Sequence, residues 1–315
     1  MGSSGQAITV GNRKLEVSNL DKVFYPETGF TKGDVIDYYR SVSDVLLPHL
    51  KQRAVTLKRY PNGVTGPFFY EKACPEHRPS WIKTVALRRQ RDNKDVNYCQ
   101  LNSEAGLVWA ANLANLELHV SLASARATHK PQSAVFDLDP GEGTGVLECA
   151  AVAIRLRQLF AERDLDCVVK TSGSKGLQLY VPLNTPASFE DTNGWAKAVA
   201  QQLEEETPDE VVSKVSKEAR IGRVFIDWSQ NNLARTTVCV YSLRAIERSS
   251  RRSRKEKGGP TASTPLTWDE VTTAQDKGDL DLLSFTPDQV LSRVERHGDL
   301  FEPVRSLKQR LPKLD

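Results

Sequence analysis

Two aspartates, Asp137 and Asp139, stand two positions apart at the end of an apolar segment. Alternate residues of a β-strand point to the same face, so a strand here would direct both carboxylates to one side and Leu138 to the other. Pro140 ends the strand and places the pair at its C-terminal edge. Like charges repel, and a divalent cation with oxygen ligands relieves that repulsion. The pair predicts a cation site, although D-x-D pairs also occur at exposed strand ends, in turn caps and in single-metal sites.

A third carboxylate, Asp227, lies near the end of the apolar segment 223–228. An aspartate among apolar neighbours is costly unless it is paired or bound to a metal. Three carboxylates suit a two-metal site, in which cations about 3.5–4 Å apart hold the attacking and leaving oxygens of a phosphoryl transfer. The alternative is an aspartate that caps the following turn, at 229–232.

A short turn of small residues, Ser172, Gly173, Ser174, Lys175 and Gly176, joins two apolar segments. Small residues let backbone N–H groups approach an anion, the hydroxyls donate hydrogen bonds, and the lysine supplies charge. The spacing is not that of a P-loop. The turn indicates a phosphate contact, and an ordinary hairpin turn is the alternative.

The elements that must position these residues alternate between strand and helix. Period-two and 3.6-residue patterns predict strands at 133–139, 167–170, 177–181, 223–228 and 236–241, and helices at 146–164 and 189–206. This alternation indicates an α/β or α+β core sheet. Toward the N-terminus, the patterns predict a helix at 32–50 capped by Thr31, a strand at 55–59 and a helix at 107–118.

Length and composition set limits on the class of protein. The 315 residues are 39% hydrophobic and 26% charged, which is typical of a globular protein and excludes a mostly disordered one. No apolar run is long enough for a membrane helix, and the N-terminus has no signal-peptide pattern. The 43 basic and 40 acidic residues leave a net charge of +3, so a polyanion site needs local clustering.

The cysteines and histidines form no metal-binding or disulfide pattern. The five cysteines are odd in number and none belongs to a C-x-x-C pair, and the five histidines are scattered. This pattern predicts free thiols, no zinc knuckle and a reducing cytoplasm.

Three segments in order, 136–141, 171–177 and 225–231, resemble the archaeo-eukaryotic primase superfamily and specifically the polymerase domain of bacterial DNA ligase D. Segments 21–26, 58–63, 241–244 and 264–268 are also similar to that family, so the resemblance covers nearly the whole chain. It implies one α+β primase-polymerase domain over 1–315 with an RRM-like, mostly antiparallel sheet. A DNA-end-binding subregion to about residue 130 would pack on a catalytic core at 131–315.

The resemblance implies a template-dependent nucleotidyltransferase that extends primers and fills gaps at 5′-phosphorylated DNA ends in non-homologous end joining. Asp137, Asp139 and Asp227 would be the catalytic residues and would hold two divalent ions, Mn²⁺ or Mg²⁺. The implied substrates are NTP or dNTP, and the implied partners are DNA ends, Ku and a DNA ligase. The implied location is the bacterial cytoplasm, at the nucleoid, with no membrane association.

Further residues match positions of the family. Those matched to nucleotide binding are His119, Ser172, Ser174, Lys175, Gln178 and Arg244. Those matched to DNA binding are Lys22 and Lys32 for a 5′-phosphate, Phe69 and Tyr70 for base stacking, and Arg220. From composition alone, the histidine and the aromatic residues would be core residues, as would Phe68, and the lysines would be simply exposed.

Two features depart from the family pattern. Gln178 stands where the family usually has histidine, and glutamine can donate a hydrogen bond but carries no charge. A basic segment at 248–257 also exceeds the usual length and either grips DNA phosphates or is a solvated loop. These departures motivate a second hypothesis, a DNA-end binding and synapsis module with weak or lost polymerase activity. A D-x-D glycosyltransferase is a third, but it leaves Asp227, Arg244 and the two lysines unexplained.

Overall fold

The computed structural model describes residues 5–89, 92–248 and 259–312. Of the basic segment 248–257, predicted to grip DNA phosphates or to be a solvated loop, residues 249–257 lie outside the described residues. The chain divides into two compact units that are interleaved along the sequence. Unit 1 comprises 1–120, 238–262 and 286–298, and unit 2 comprises 121–237, 263–285 and 299–315. Among the described residues, no helix has both the length and the apolar character needed to span a bilayer.

Unit 2 is built on an antiparallel sheet with one parallel pair at its edge. Its elements are β10 (Ser133–Pro140), α4 (Val146–Ala161), β11 (Val168–Thr171), β12 (Leu177–Pro182), α5 (Phe189–Glu206), β13 (Val211–Val212), β14 (Val224–Asp227), β18 (Pro265–Leu266), α6 (Trp268–Lys277) and α8 (Pro303–Ser306). The strand order is β13-β14-β10-β12-β11-β18, and only β13 and β14 run parallel. The mostly antiparallel sheet expected from the family is confirmed.

The core of unit 2 explains why β10 holds its carboxylates in a fixed position. Phe136 is fully buried, and its ring lies 5.1 Å from Phe160 of α4 and 5.4 Å from Trp195 of α5. Burying such a side chain contributes roughly 1.5–3 kcal/mol. Because Phe136 and Leu138 face this core, the alternate residues Asp137 and Asp139 must face the other side of the sheet.

Unit 1 contains the second large sheet and several small ones. Its elements are β1 (Gln6–Val10), β2 (Arg13–Val17), β3 (Val23–Tyr25), β4 (Phe30–Thr31), α1 (Lys32–Ser41), α2 (Ser43–Leu50), β5 (Val55–Arg59), β6 (Phe69–Glu71), β7 (Lys83–Arg89), β8 (Lys94–Gln100), α3 (Glu104–Asn112), β9 (Asn115–Val120), β15 (Thr237–Val238), β16 (Leu243–Arg248), β17 (Gly259–Ala262) and α7 (Pro287–His297). The large sheet has the order β15-β9-β5-β8-β7, and β6 also pairs with β5.

Two predicted helices of unit 1 differ from the structure. The helix predicted at 32–50 is two helices, α1 and α2, that meet at Val42, although the predicted Thr31 cap is confirmed by its bond from the Asp34 backbone N–H. The helix predicted at 107–118 ends at Asn112. Ala114 then adopts a positive φ of 61°, and β9 begins at the next residue. In β9 the polar residues alternate with leucines, which is a period of two and not of a helix.

The predicted absence of disulfides is wrong. Cys74 and Cys99 form a disulfide with a Cα–Cα distance of 4.8 Å, while Cys149, Cys167 and Cys239 are free and buried. The loop after β6 runs beside β8, where the Cys74 backbone N–H donates to the Asn97 carbonyl. Sequence spacing could not reveal this, because the 25-residue separation is closed by the path of that loop.

Candidate functional site

The three predicted carboxylates share one face of two adjacent strands in unit 2. Asp137 of β10 lies directly opposite Asp227 of β14 in the antiparallel register, and Asp139 follows two residues later. Directly opposed residues place their Cβ atoms about 4.5–5.5 Å apart. Leu138 between them is fully buried, as the alternation predicted. The sheet therefore brings together carboxylates that are about 90 residues apart in the chain.

The charge at this position is unfavourable without a counter-ion. Burial raises the pKa of Asp137, and the negative charges of Asp139 and Asp227 raise it further. A hydrogen bond from Gln178 and the charge of Lys170 act in the opposite direction but do not cancel the effect. The pKa of the Asp137 carboxyl therefore lies above its ordinary range, which is the situation that a bound cation would relieve.

Asp227 also caps the turn that follows it, as the alternative interpretation stated. One carboxylate oxygen accepts from the Ser229 backbone N–H at 3.0 Å and from its hydroxyl at 2.5 Å. The other accepts from the Gln230 amide at 2.9 Å. These bonds use about three of the four lone-pair positions of a carboxylate. Asp227 thus belongs to the carboxylate row and to the cap at the same time.

The donor chemistry of the row fits a hard divalent cation, because all three side chains offer carboxylate oxygens. Within residues 5–89, 92–248 and 259–312, no group of three or more His, Cys, Asp or Glu side chains converges closely enough to hold a metal ion. The Asp227 oxygens accept hydrogen bonds from their own turn. The three carboxylates suit a divalent cation by their chemical type and their positions on the strands, but they do not form a preformed metal site.

The turn between β11 and β12 is closed by its own first serine. The Ser172 hydroxyl accepts from the backbone N–H groups of Ser174 and Gly176, each at 3.2 Å. Ser172 is buried, whereas Ser174 and Lys175 are exposed. The hairpin interpretation therefore describes Ser172 well, and the exposed pair carries the capacity to bind a phosphate.

Gly176 holds this turn against the strand of the carboxylates. A Cβ atom at this position would lie 1.9 Å from the Leu138 carbonyl oxygen and 3.4 Å from Pro140 Cδ. Only glycine allows two backbones to approach so closely. The turn therefore packs directly beside the segment that carries Asp139.

Gln178, predicted to bind nucleotide, is almost completely buried in unit 2. It is paired with Asp137 on one side and with Lys170 of β11 on the other. Its Oε1 accepts from the Lys170 ammonium at 2.6 Å. Its side chain also acts to lower the pKa of the Asp137 carboxyl, which lies directly opposite it. Its described contacts are thus with these two residues, and direct contact with a nucleotide stays a prediction.

In unit 1, a buried glutamate that was not predicted from the sequence contacts several of the predicted site residues. Glu117 of β9 is 2% exposed and lies within 3.1 Å of Lys58 Nζ, 3.0 Å of His119 Nε2 and 3.3 Å of Arg244 Nε. The Tyr60 hydroxyl donates to it at 3.1 Å. The structure therefore brings the predicted residues His119 and Arg244 together around one anion.

The electrostatic effects at Glu117 follow from these contacts. Burial alone would raise the pKa of Glu117, but the hydrogen bond from His119 and the charges of Arg244, His119 and Lys58 hold it well below its ordinary range. Burial lowers the pKa of His119, and the cations Arg244 and Lys58 add to that effect against the attraction of Glu117. The glutamate is thus a fixed anion, and the histidine is biased toward its neutral form.

The aromatic residues near this glutamate point to two faces of β6. Tyr70 pairs with Lys58 and its ring lies 5.7 Å from the His119 ring, while Phe69 pairs with Arg59, whose guanidinium lies 5.2 Å from the Phe69 ring. Neighbouring strand residues alternate in direction, so Phe69 and Tyr70 cannot share one face.

Phe68 is not a core residue, which corrects that interpretation. It is 52% exposed, beside Phe69 at 43% and Tyr70 at 53%. The Lys58 ammonium lies 4.5 Å from the Phe68 ring centre and 5.5 Å from that of Tyr70, within cation–π range. Phe68 and Tyr70 beside this cation form an exposed surface suited to stacking with bases, while Phe69 lies beside Arg59.

The two predicted end-binding lysines are neighbours in unit 1. The Lys32 backbone N–H donates to the Lys22 carbonyl. The Lys32 ammonium donates to the Ser18 carbonyl, and the Lys22 ammonium donates to the Pro61 carbonyl. Lys22 is exposed but Lys32 is only 5% exposed. Burial lowers the pKa of Lys32 to about 8, and the charge of Lys22 contributes. The fold therefore holds the two lysines next to each other, and they are not two unrelated surface lysines.

Arg220, the last predicted DNA contact, packs within unit 2. Its guanidinium carbon lies 3.6 Å from the centre of the Phe225 ring, and one terminal nitrogen donates to the Val215 carbonyl at 2.8 Å. The loop conformation is thus held by the arginine itself. Whether this loop contacts DNA stays a prediction.

Comparison with known proteins places the chain in a family. It matches the family described as LigD, primase-polymerase domain over residues 31–301. It is 40% identical over 293 residues to the multifunctional non-homologous end joining protein LigD of Mycolicibacterium smegmatis, which covers 92% of this chain and 36% of the relative. It is 39% identical over 312 residues to LigD of Mycobacterium tuberculosis, covering 96% and 38%.

A solved structure is similar over nearly the whole length. The polymerase domain from Mycobacterium tuberculosis ligase D in complex with DNA superposes with a TM-score of 0.82 at 38% identity, covering 94% of this chain and 99% of that one. The chain spans well under half the length of the mycobacterial LigD proteins it matches. From these matches the chain belongs to the LigD primase-polymerase domain family.

Proposed function

We propose that this chain is a template-directed nucleotidyltransferase that extends primers and fills gaps at 5′-phosphorylated DNA ends in non-homologous end joining. The observation that carries this proposal is the row of Asp137, Asp139 and Asp227 on one face of the sheet, in a chain of the LigD primase-polymerase family. Its substrates would be nucleoside triphosphates and DNA ends. Ku and a DNA ligase would be its partners in repair.

The residues of unit 2 have separate tasks in this proposal. Asp137, Asp139 and Asp227 would hold two divalent ions, which when bound supply charge stabilisation and orient the reacting oxygens. Ser174 and Lys175 are exposed on the turn and would donate to the phosphates of the incoming nucleotide. Gln178 would keep Asp137 in position by donating to its carboxylate from the directly opposite strand position.

The reaction itself is an in-line displacement at phosphorus. The 3′-oxygen of the primer forms a bond to the α-phosphorus, and the bond from that phosphorus to the bridging oxygen of the β-phosphate breaks. Pyrophosphate leaves with the electron pair, and the hydroxyl proton passes to solvent. Catalysis of this kind depends on positioning and on charge stabilisation.

The residues of unit 1 would bind the DNA end and the nucleotide. The lysine pair supplies two ammonium groups for a 5′-phosphate, and the rings of Phe69 and Tyr70 supply stacking surfaces. Arg244 and His119, fixed by Glu117, would donate to the nucleotide.

A primer-extension assay tests the function directly. Gapped DNA with a 5′-phosphate, Mn²⁺ and labelled nucleotides should give template-directed incorporation, with correct nucleotides favoured over mismatched ones. Mg²⁺ and metal-free reactions are the comparison arms. Absence of incorporation with every metal and nucleotide, in a protein that still binds the same DNA, would refute the polymerase and leave the end-binding module.

The end-binding module remains a distinct second candidate because of two observations. Gln178 stands at a position where histidine was expected, and Asp227 is hydrogen-bonded within its own turn. The two candidates differ in one outcome: the module binds 5′-phosphorylated ends but transfers no nucleotide.

The lysine pair should give the protein its preference for phosphorylated ends. Lys22→Ala combined with Lys32→Ala should weaken binding to 5′-phosphorylated DNA by at least about tenfold, since each lost charge-assisted hydrogen bond costs about 1.5–3 kcal/mol. Binding to unphosphorylated DNA should fall much less. Fluorescence anisotropy with the two DNA ends measures the difference, and equal losses on both would show a nonspecific contact.

Two controls sharpen this test. Lys14→Ala with Lys51→Ala removes the same charge from exposed positions of unit 1 and should leave the preference intact. Because the pKa of Lys32 is about 8, its positive charge is lost as the pH rises through that value, so the wild-type preference should fall between pH 7 and pH 9. Lys32→Arg keeps its charge over this range and should remove most of the pH dependence.

A further inference from the structure

A single row of side chains crosses four strands of the unit 2 sheet. Asp227 pairs with Asp137, Asp137 pairs with Gln178, and Gln178 pairs with Lys170. Directly paired residues of neighbouring strands point to the same face. At about 4.8 Å per strand, Lys170 lies two strands, or about 10 Å, from Asp137. Lys170 therefore lies in the same row as the carboxylates but two strands away from Asp137.

Lys170 is buried to an unusual degree for a charged residue. Its relative exposure is 0%, and its ammonium donates to Gln178 Oε1 and to the Ser263 hydroxyl, each at 2.6 Å. Lysine is almost never fully buried unless it is paired, and Gln178 and Ser263 are among the partners of this ammonium. It also lies 5.7 Å from the centre of the Tyr180 ring.

The ammonium determines how the Gln178 amide is oriented. An ammonium can only donate, so the glutamine atom facing it must be the carbonyl oxygen. The amide NH₂ group is then the part of the side chain that can donate to Asp137, which lies directly opposite Gln178 in the strand register. Without Lys170, a flipped amide would direct its oxygen at the carboxylate and repel it.

We propose that Lys170 is a positioning residue that fixes the Gln178 amide so that it orients the Asp137 carboxylate for metal binding. This inference rests on the proposed metal-dependent function. It assigns no proton transfer to position 178, only one accepted and one donated hydrogen bond. A neutral imidazole can make the same two bonds, because one ring nitrogen accepts while the other donates.

Mn²⁺ binding, measured from the electron paramagnetic resonance signal of the free ion, tests the inference without any turnover. Lys170→Met should weaken Mn²⁺ binding about tenfold or more, as expected when a residue that supports a metal ligand is lost. Gln178→Met should do the same, and Gln178→His should stay within a few-fold of the wild type. The matched control is Ser263→Ala, which removes a different partner of Lys170 and should change little.

The sign of the effect separates positioning from bare electrostatics. Removing a positive charge near a metal site would by itself strengthen cation binding, so tighter Mn²⁺ binding in Lys170→Met would overturn the inference. Unchanged binding in Lys170→Met or in Gln178→Met would also overturn it. If Lys170→Met does not fold, as judged by its melting transition, the Gln178 variants decide alone.

Failure of the inference can be told from failure of the proposed function. A wild type that binds Mn²⁺ and extends primers, with variants that bind Mn²⁺ equally well, refutes only the role of Lys170. A wild type that neither binds Mn²⁺ nor extends primers refutes both. If the inference is correct, Lys170→Met and Gln178→Met should lower kcat less at saturating Mn²⁺ than at limiting Mn²⁺. Their KM for DNA should stay unchanged.

Discussion

Replacing Asp137 and Asp139 together by asparagine should lower nucleotide incorporation at gapped DNA by at least about a thousand-fold. Metal ions contribute several kcal/mol of charge stabilisation in such reactions, and each 1.36 kcal/mol is a tenfold change in rate. The variant keeps the shape of both side chains and loses their charge. Single-turnover extension of a labelled primer measures the loss, and binding to the same DNA should stay within about twofold.

The stability of this variant distinguishes a functional carboxylate from a structural one. Burial and two neighbouring carboxylates raise the pKa of Asp137, so its charge is a cost to the metal-free fold. The metal-free variant should therefore melt at or above the wild-type temperature. A control with Glu205→Gln and Asp209→Asn removes the same charge from exposed positions and should retain full activity. Wild-type incorporation by the aspartate variant would refute the metal assignment.

The second large effect is expected at Glu117. Changing Glu117→Gln should lower the free energy of unfolding by about 3 kcal/mol, because removing one partner of a buried ion pair typically costs 3–5 kcal/mol and glutamine keeps one acceptor oxygen. Lys58, His119 and Arg244 would lose their shared anion. Urea denaturation at pH 7 measures the difference, and nucleotide affinity should fall with it.

A surface ion pair of the same unit is the matched control. Glu104 binds Arg40 at 2.9 Å, but both side chains are more than a third exposed, so Glu104→Gln should cost no more than about 1 kcal/mol. The pKa of Glu117 is depressed in the fold, so its contribution is present at neutral pH and is lost as the pH falls below about 4.3. Wild type and Glu117→Gln should therefore converge in acid, and equal losses for both glutamine variants at pH 7 would contradict the assignment.

The strand that carries Asp137 and Asp139 was predictable because its pattern is local. Alternation over 133–139 places Phe136 and Leu138 in the core and both aspartates on the other face, as the structure has them. The Thr31 cap and the helix at 189–206 were predictable for the same reason, since a cap and a helical period need only neighbouring residues. The antiparallel sheet followed from the family resemblance.

The supporting residues were not predictable from local pattern. Glu117 gains its importance from Lys58, Arg244 and a histidine on its own strand, and two of these partners come from distant segments. The alternation of Asn115, Glu117 and His119 with apolar residues was the available signal, and a predicted helix over 107–118 obscured it. Lys170 and the Cys74–Cys99 pair likewise depend on strand register and loop path, which spacing alone does not reveal.

The contact of Gly176 with Leu138 has a mechanical consequence. No side chain separates the two backbones, so there is no soft layer between the serine–lysine turn and the strand that carries Asp139. A displacement of the turn as a triphosphate arrives would pass undamped to the acidic strand. Occupancy of the serine–lysine turn and the position of Asp139 would thus be coupled. The coupling depends on Gly176, which has no Cβ atom to separate the two backbones.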